Sequence, residues 1–348
     1  MKIDLTETTS SKINQALVSA RRAIGTPAIG MVLTLVIVTD EENAYDALKA
    51  AGDASREHPS RIIAVIKRVS RSPRARRDAR LDAEVRVGSD AGTGETVVLR
   101  LHGELANHAQ SVVLPLLLPD APVVAWWPED APADPANDPL GALAQRRITD
   151  TYSAELPLDE LAVRAATYSP GDTDLAWTRI TPWRSMLAAA LDQQPAEVIA
   201  ATVEGESDNP SCELLAMWLA DRLGVPVERT LSRGPGLTAV RMETKNGVIV
   251  LDRPDGSLAT LSMQNQPDRA VALKRRETAE LLAEELRRLD PDNTYASAVK
   301  FGVDKLHSGG EVMAGPAGAA DTAEKAEKSA GAKAPAAKRP PAKKAASK

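Results

Sequence analysis

Histidine and cysteine are the side chains best suited to acid–base, nucleophilic or metal chemistry. The chain has four His and one Cys. His102 and Glu104 fall on one face of an expected strand, with His108 just beyond. That pattern is not the helical His-Glu-x-x-His of a zinc enzyme, and no third ligand stands at a useful spacing. Cys212 has no His nearby in sequence and sits in a helical pattern, as a buried structural thiol would. Gly92-Thr93-Gly94 precedes a strand and lacks the Lys-Ser/Thr end of a phosphate loop. No nucleophile elbow occurs, and no Gly-x-Gly-x-x-Gly follows the first strand. The expectation is therefore no catalytic residue, no metal and no cofactor.

What does stand out is the placement of tryptophan and arginine. Aromatics make up only 3% of the chain, yet five of them are Trp. Trp126 and Trp127 close the stretch at residues 112–130, where two apolar runs are separated by Pro119, Asp120 and Pro122. The second run has the length and flanking turn signals of a strand buried on both faces, and the first those of a buried crossover helix. In open α/β sheets, ligands and functional loops gather at the C-terminal ends of such strands. The other cluster lies at 171–184, which packs Asp174, Trp177, Arg179, Trp183 and Arg184 into a short stretch that reads as irregular. Trp and Arg are the usual anchors of protein interfaces. These seven residues are the candidate partner-binding set, although core packing would use the same aromatics.

The elements that must position them follow from periodicity. A helix is expected at 12–24, capped by Ser10 or Ser11, and the first strand at 31–38. A helix capped by Thr39 follows at 40–51, then a strand at 58–66; together these make a parallel βαβ unit. Residues 81–87 and 97–105 alternate with period two around a Gly-rich turn, predicting an antiparallel hairpin. Asn107 is placed as the cap of the helix leading into the Val112 run. Residues 128–139 read as a proline-rich loop or linker. A second βαβ unit is expected from a strand at 196–203, a helix at 209–223 stopped by Gly224, and a strand at 225–231. Asn246-Gly247 and Asp255-Gly256 then join strands at 237–243, 248–252 and 258–263. A helix at 158–168, a long amphipathic helix at 269–289 and a last helix at 292–306 complete the reading. The fold class is thus α/β, with two α/β domains of mixed sheets and covering helices, at 1–150 and 151–306. Residues 307–348, dominated by Ala, Lys, Pro and Gly, are expected to form a disordered tail.

The formal charge of −5 is unevenly spread. The tail from residue 307 has eight Lys and Arg against four Asp and Glu, so the preceding 306 residues carry −9. Such an acidic body argues against a nucleic-acid surface. Residues 67–80 hold seven basic residues but no interleaved aromatics, as a solvated loop would. The polar N-terminus, the lone cysteine and the absence of an apolar run near 20 residues predict a cytoplasmic protein without membrane spans.

Three stretches together resemble the glucose-6-phosphate dehydrogenase assembly protein (OpcA) family of actinobacteria and cyanobacteria. They are LDAEVRV at 81–87, VVLRLHGELANHAQSVVLPLLLPDAPVVAWWPED at 97–130 and DTDLAWTRITPWR at 172–184. The likeness runs from the N-terminal helix to about Leu306. It implies a non-catalytic cytoplasmic protein that binds glucose-6-phosphate dehydrogenase, supports its active oligomer and raises NADPH supply through the oxidative pentose phosphate pathway. Some cyanobacterial relatives are under cysteine redox control, which a chain with Cys212 alone cannot carry as an internal disulfide. The competing reading is a sugar-phosphate enzyme or sensor with a small ligand at the Trp127 sheet edge.

Overall fold

The computed structural model describes residues 1–25, 30–68, 79–88, 94–193 and 195–302. Among these are two sheets, of eight and six strands.

The first sheet has the order β1-β4-β5-β3-β2-β6-β7-β8. Its parallel part comprises β2 (Leu33–Thr39), β3 (Ser60–Arg68), β5 (Glu95–His102), β6 (Val123–Trp126), β7 (Arg146–Thr149) and β8 (Asp172–Asp174). Two antiparallel strands, β4 (Arg80–Val87) and β1 (Lys2–Leu5), extend the β5 side. The βαβ unit and the hairpin stand as expected. β1 does not follow from the sequence pattern, because four residues of alternating burial give too short a period-two signal. Their pairing with β4 supplies the backbone partners that hold them.

Residues along each strand alternate between two cores, as the pleat requires. Val36, Ile63 and Ala125 face α1 (Ser10–Ile24) and the helical run containing α3 (Ala109–Val113). Leu35, Ile62 and Val124 face α2 (Ala44–Ala54) and a helix from the C-terminal part of the chain, α8 (Thr278–Arg287). Thr9, rather than Ser10 or Ser11, caps α1. α2 begins after Asn43, not after Thr39, because Asp40 holds the Asn43 amide in a turn first. The Val112 run is a five-residue α-helix between two 3-10 segments, not one continuous helix capped by Asn107, and Pro115 lies in the second.

The second sheet runs β10-β9-β11-β12-β13-β14. β9 (Val198–Gly205) and β10 (Val227–Leu231) are parallel and joined by α7 (Pro210–Leu223). Asn209 caps α7, and Gly224 in the left-handed region ends it. β11 (Leu237–Thr244), β12 (Gly247–Asp252) and β13 (Leu258–Ser262) follow as antiparallel hairpins. One face is covered by residues of α6 (Thr181–Gln193), α7 and α9 (Asn293–Gly302).

Two expectations are corrected here. Residues 269–289 are not one helix: β14 (Arg269–Ala272) pairs with β13, and α8 starts only at Thr278. Glu277 and Glu280 cap that start reciprocally, a stronger local signal than the helical spacing upstream. Residues 171–184 are not irregular either. They form β8, α5 (Leu175–Arg179) and the first turn of α6, after α4 (Pro157–Thr167). β8 thus joins the first sheet from beyond residue 150, and α8 returns to cover that sheet. The expected tail lies outside the described residues, as does most of the basic stretch at 67–80.

Candidate functional site

β8 delivers Asp174 to the seam between the two sheets. The side chain is fully buried. It caps α5 by accepting from the Ala176 amide at 2.8 Å, and also accepts from Thr149 Oγ1 at 2.6 Å, Thr151 Oγ1 at 3.0 Å and the Thr151 amide at 3.0 Å. Burial, and then the nearby Asp150 charge, push its carboxyl above the usual range, against the pull of those hydrogen bonds.

Arg179, at the end of α5, grips Asp150 with both terminal nitrogens at 2.6 and 2.7 Å and lies 4.9 Å over the Tyr152 ring. Burial pulls its guanidinium down, but Asp150 more than restores it. Trp177 Nε1 donates to Asp292 Oδ2 at 2.8 Å, and the Arg184 guanidinium stacks 3.7 Å over the Trp177 ring. Burial brings the Arg184 pKa down to about 10, with no ion pair to it among the described residues. Trp183 lies beneath Arg253, 5.0 Å from its ring. The seam therefore brings Asp174, Trp177, Arg179, Trp183 and Arg184 together as one interlocked set.

Trp126 and Trp127 are placed apart from them and from each other. As neighbours in sequence they point to opposite faces: Trp126 joins the α2–α8 core with Leu175, and Trp127 joins the α1–α3 core. Trp126, Trp127, Trp177 and Trp183 are exposed by no more than 2%. In this conformation none of the four presents surface to a partner. Burying a Trp removes about 150–250 Å² from water, so their first role is to hold the frame.

The strand order reverses between β2 and β6, and the C-terminal edge there is the usual ligand position of a doubly wound sheet. Among the described residues, Asp40, Glu129, Asp130, Asp138 and Lys67 line the pocket at this edge, with Trp127 at its back. Burial and the Asp40 and Asp130 charges push the Glu129 carboxyl up. The turn between β2 and α2 carries Asp40-Glu41-Glu42.

Several residues that matter here were not singled out from the sequence. Glu285 of α8 is 6% exposed; it accepts from Thr178 Oγ1 at 2.6 Å and pairs with Arg146 of β7. Arg276 donates to Glu284 and to the Thr178 carbonyl. Apart from Glu284, their partners lie more than 90 residues away in sequence, so no local pattern marks them. His102 is tied to Asp82 at 3.1 Å, and among the described residues no group of three ligating side chains could hold a metal. Cys212 is fully buried, and burial pushes its thiol up to about 12.

Two family models match the chain. One, the glucose-6-phosphate dehydrogenase subunit N-terminal domain, covers residues 51–166, and the other, its C-terminal domain, covers 170–299. Comparison with curated proteins finds no match. Among solved structures, an oxidoreductase from Sinorhizobium meliloti is 11% identical with TM-score 0.46, over 80% of this chain and 99% of its own. A dehydrogenase (MviM) from Clostridium difficile is 7% identical with TM-score 0.40, over 79% and 99%. An NAD binding oxidoreductase from Klebsiella pneumoniae is 8% identical with TM-score 0.40, over 80% and 96%. These likenesses are too distant to bear on function. The family models, by contrast, follow one another along residues 51–299, and the chain belongs to the glucose-6-phosphate dehydrogenase assembly protein family.

Proposed function

We propose that this chain is a non-catalytic assembly factor and allosteric activator of glucose-6-phosphate dehydrogenase. It binds the enzyme in the cytoplasm, supports its active oligomer and so raises NADPH supply from the oxidative pentose phosphate pathway. The observation that carries the reading is the pair of family models, both described as parts of a subunit of that enzyme.

An activator must bind the active form of its partner more tightly than the inactive form. A preference of about 1–3 kcal/mol multiplies the active population's weight by about 5–150. In this reading Asp174, Trp177, Arg179, Trp183 and Arg184 hold the seam in the shape the enzyme recognises. Trp126 and Trp127 fix the strand end beside it. The test is the steady-state rate of the dehydrogenase titrated with this chain. A saturable rise is expected; an unchanged rate, with both proteins folded, would remove the activator reading.

A further inference from the structure

A second, small pocket lies where β9 ends and α7 begins. Its charge is opposite to that of the β2–β6 edge. Arg179, Arg253, Lys274, Arg275 and Arg276 line it, and no Asp or Glu is among the described lining residues. Three of these cations are already matched: Arg179 by Asp150, Lys274 by Glu280 and Arg276 by Glu284. Arg253 and Arg275 have no ion pair among the described residues.

Arg253 is 5% exposed. Its terminal nitrogens donate to the carbonyls of Leu237 and Leu273 at 2.7 and 2.9 Å, while its Nε has no partner. Asp255 acts on it only at longer range, and that carboxylate accepts from the Ser257 and Leu258 amides of its own turn. A buried guanidinium without a counter-charge is costly, so an anionic ligand that supplied one would be favoured there. Arg275 adds a second free guanidinium and donates to the Tyr152 hydroxyl at 3.2 Å, leaving the Tyr152 proton free for a ligand oxygen. Asn209 and Ser211, at the N-terminus of the 14-residue α7, also line the pocket. The Ser211 and Cys212 amides of that start are taken by Asn209 and Pro210 has none, so it offers a ligand the helix dipole, which favours an anion, rather than those amides. Glu213, the one acid in that first turn, is held by Arg229 at 2.8 Å.

We propose that this pocket binds the phosphate group of a small phosphorylated metabolite. Two guanidinium groups without ion-pair partners, beside the start of a helix, match the double charge of a phosphomonoester. Ligand binding here is a property of this chain alone and does not depend on the dehydrogenase.

The test is calorimetric titration of the isolated full chain with inorganic phosphate, glucose 6-phosphate and glucose. Both phosphates should bind saturably, the ester more tightly, and glucose should not. Arg275→Gln, at an exposed position, should weaken both at least fivefold with an unchanged melting temperature. Arg253→Gln should do the same wherever circular dichroism shows it folded. No saturable binding of either phosphate by the folded chain would overturn the proposal. So would binding that Arg275→Gln leaves within twofold of the parent, since the phosphate would then sit elsewhere. As no dehydrogenase is present, neither failure touches the assembly reading.

Discussion

Trp177 and Trp183 are drawn to the seam by packing first, which sets how any substitution there must be read. Replacing a buried Trp by Ala costs about 3–5 kcal/mol, a large part of the roughly 5–15 kcal/mol that holds a domain together. Trp183→Ala is therefore expected to lower the melting temperature sharply before it reports on a partner; a variant as stable as the parent would contradict its place in the core. Asp174→Asn keeps the shape but turns an amide NH₂ toward Thr151 and Ala176 donors. It should cost about 1–3 kcal/mol, measured by urea unfolding. Cys212 should stay unreactive toward a thiol reagent until the chain unfolds, because its thiol is both buried and shifted to about 12. Its folded pKa lies above the reference value of 9.0, so its contribution to stability is full below pH 9 and is lost as pH rises toward 12. Cys212→Ala should flatten that alkaline fall. The Trp-Arg cluster at 171–184 was legible because those residue types are scarce and conspicuous. Arg253 was not, since nothing in Asp252-Arg253-Pro254 distinguishes a buried arginine from a hairpin charge.

At the scale of elements, α8 is the fastener between the sheets. Glu285 meets Arg146 of the first sheet and Thr178 of α5, while Leu281, Leu282 and Leu286 pack with Trp126. Glu285→Gln removes the charge that balances buried Arg146 and should cost about 3–5 kcal/mol. Glu280→Ala removes only half of an exposed capping box and should cost about 0.5–1 kcal/mol. Equal losses in the two variants, by denaturant titration, would refute this ranking. Gly141 makes a similar point for the 128–145 loop. A Cβ there would sit 1.8 Å from the Pro135 carbonyl oxygen and 3.1 Å from Trp127, so Gly141→Ala should be destabilising. Long elements with clear period, such as β3, α7 and the β11–β13 hairpins, followed from sequence. β1, β8 and β14 escaped because three or four residues do not establish a period.

At the scale of the whole molecule, charge is segregated. Among the described residues, the strand-order reversal of the first sheet is lined mostly by carboxylates, and the β9–α7 pocket of the second by arginines. Among the described residues no helix is long and apolar enough to cross a membrane. The α/β class with two mixed sheets and the family were both legible from long sequence stretches. The way α8 laces the sheets together was not, because it rests on contacts between residues more than 100 positions apart. The central claim is that the chain changes the assembly state of a partner, so the most direct measurement is the mass of the mixture. Light scattering coupled to size exclusion should be run on glucose-6-phosphate dehydrogenase with and without this chain, with the rate assayed in each fraction. A heavier species that contains both proteins and carries the higher specific activity is expected. Two folded proteins eluting at their separate masses, each fraction as active as before, would contradict the account.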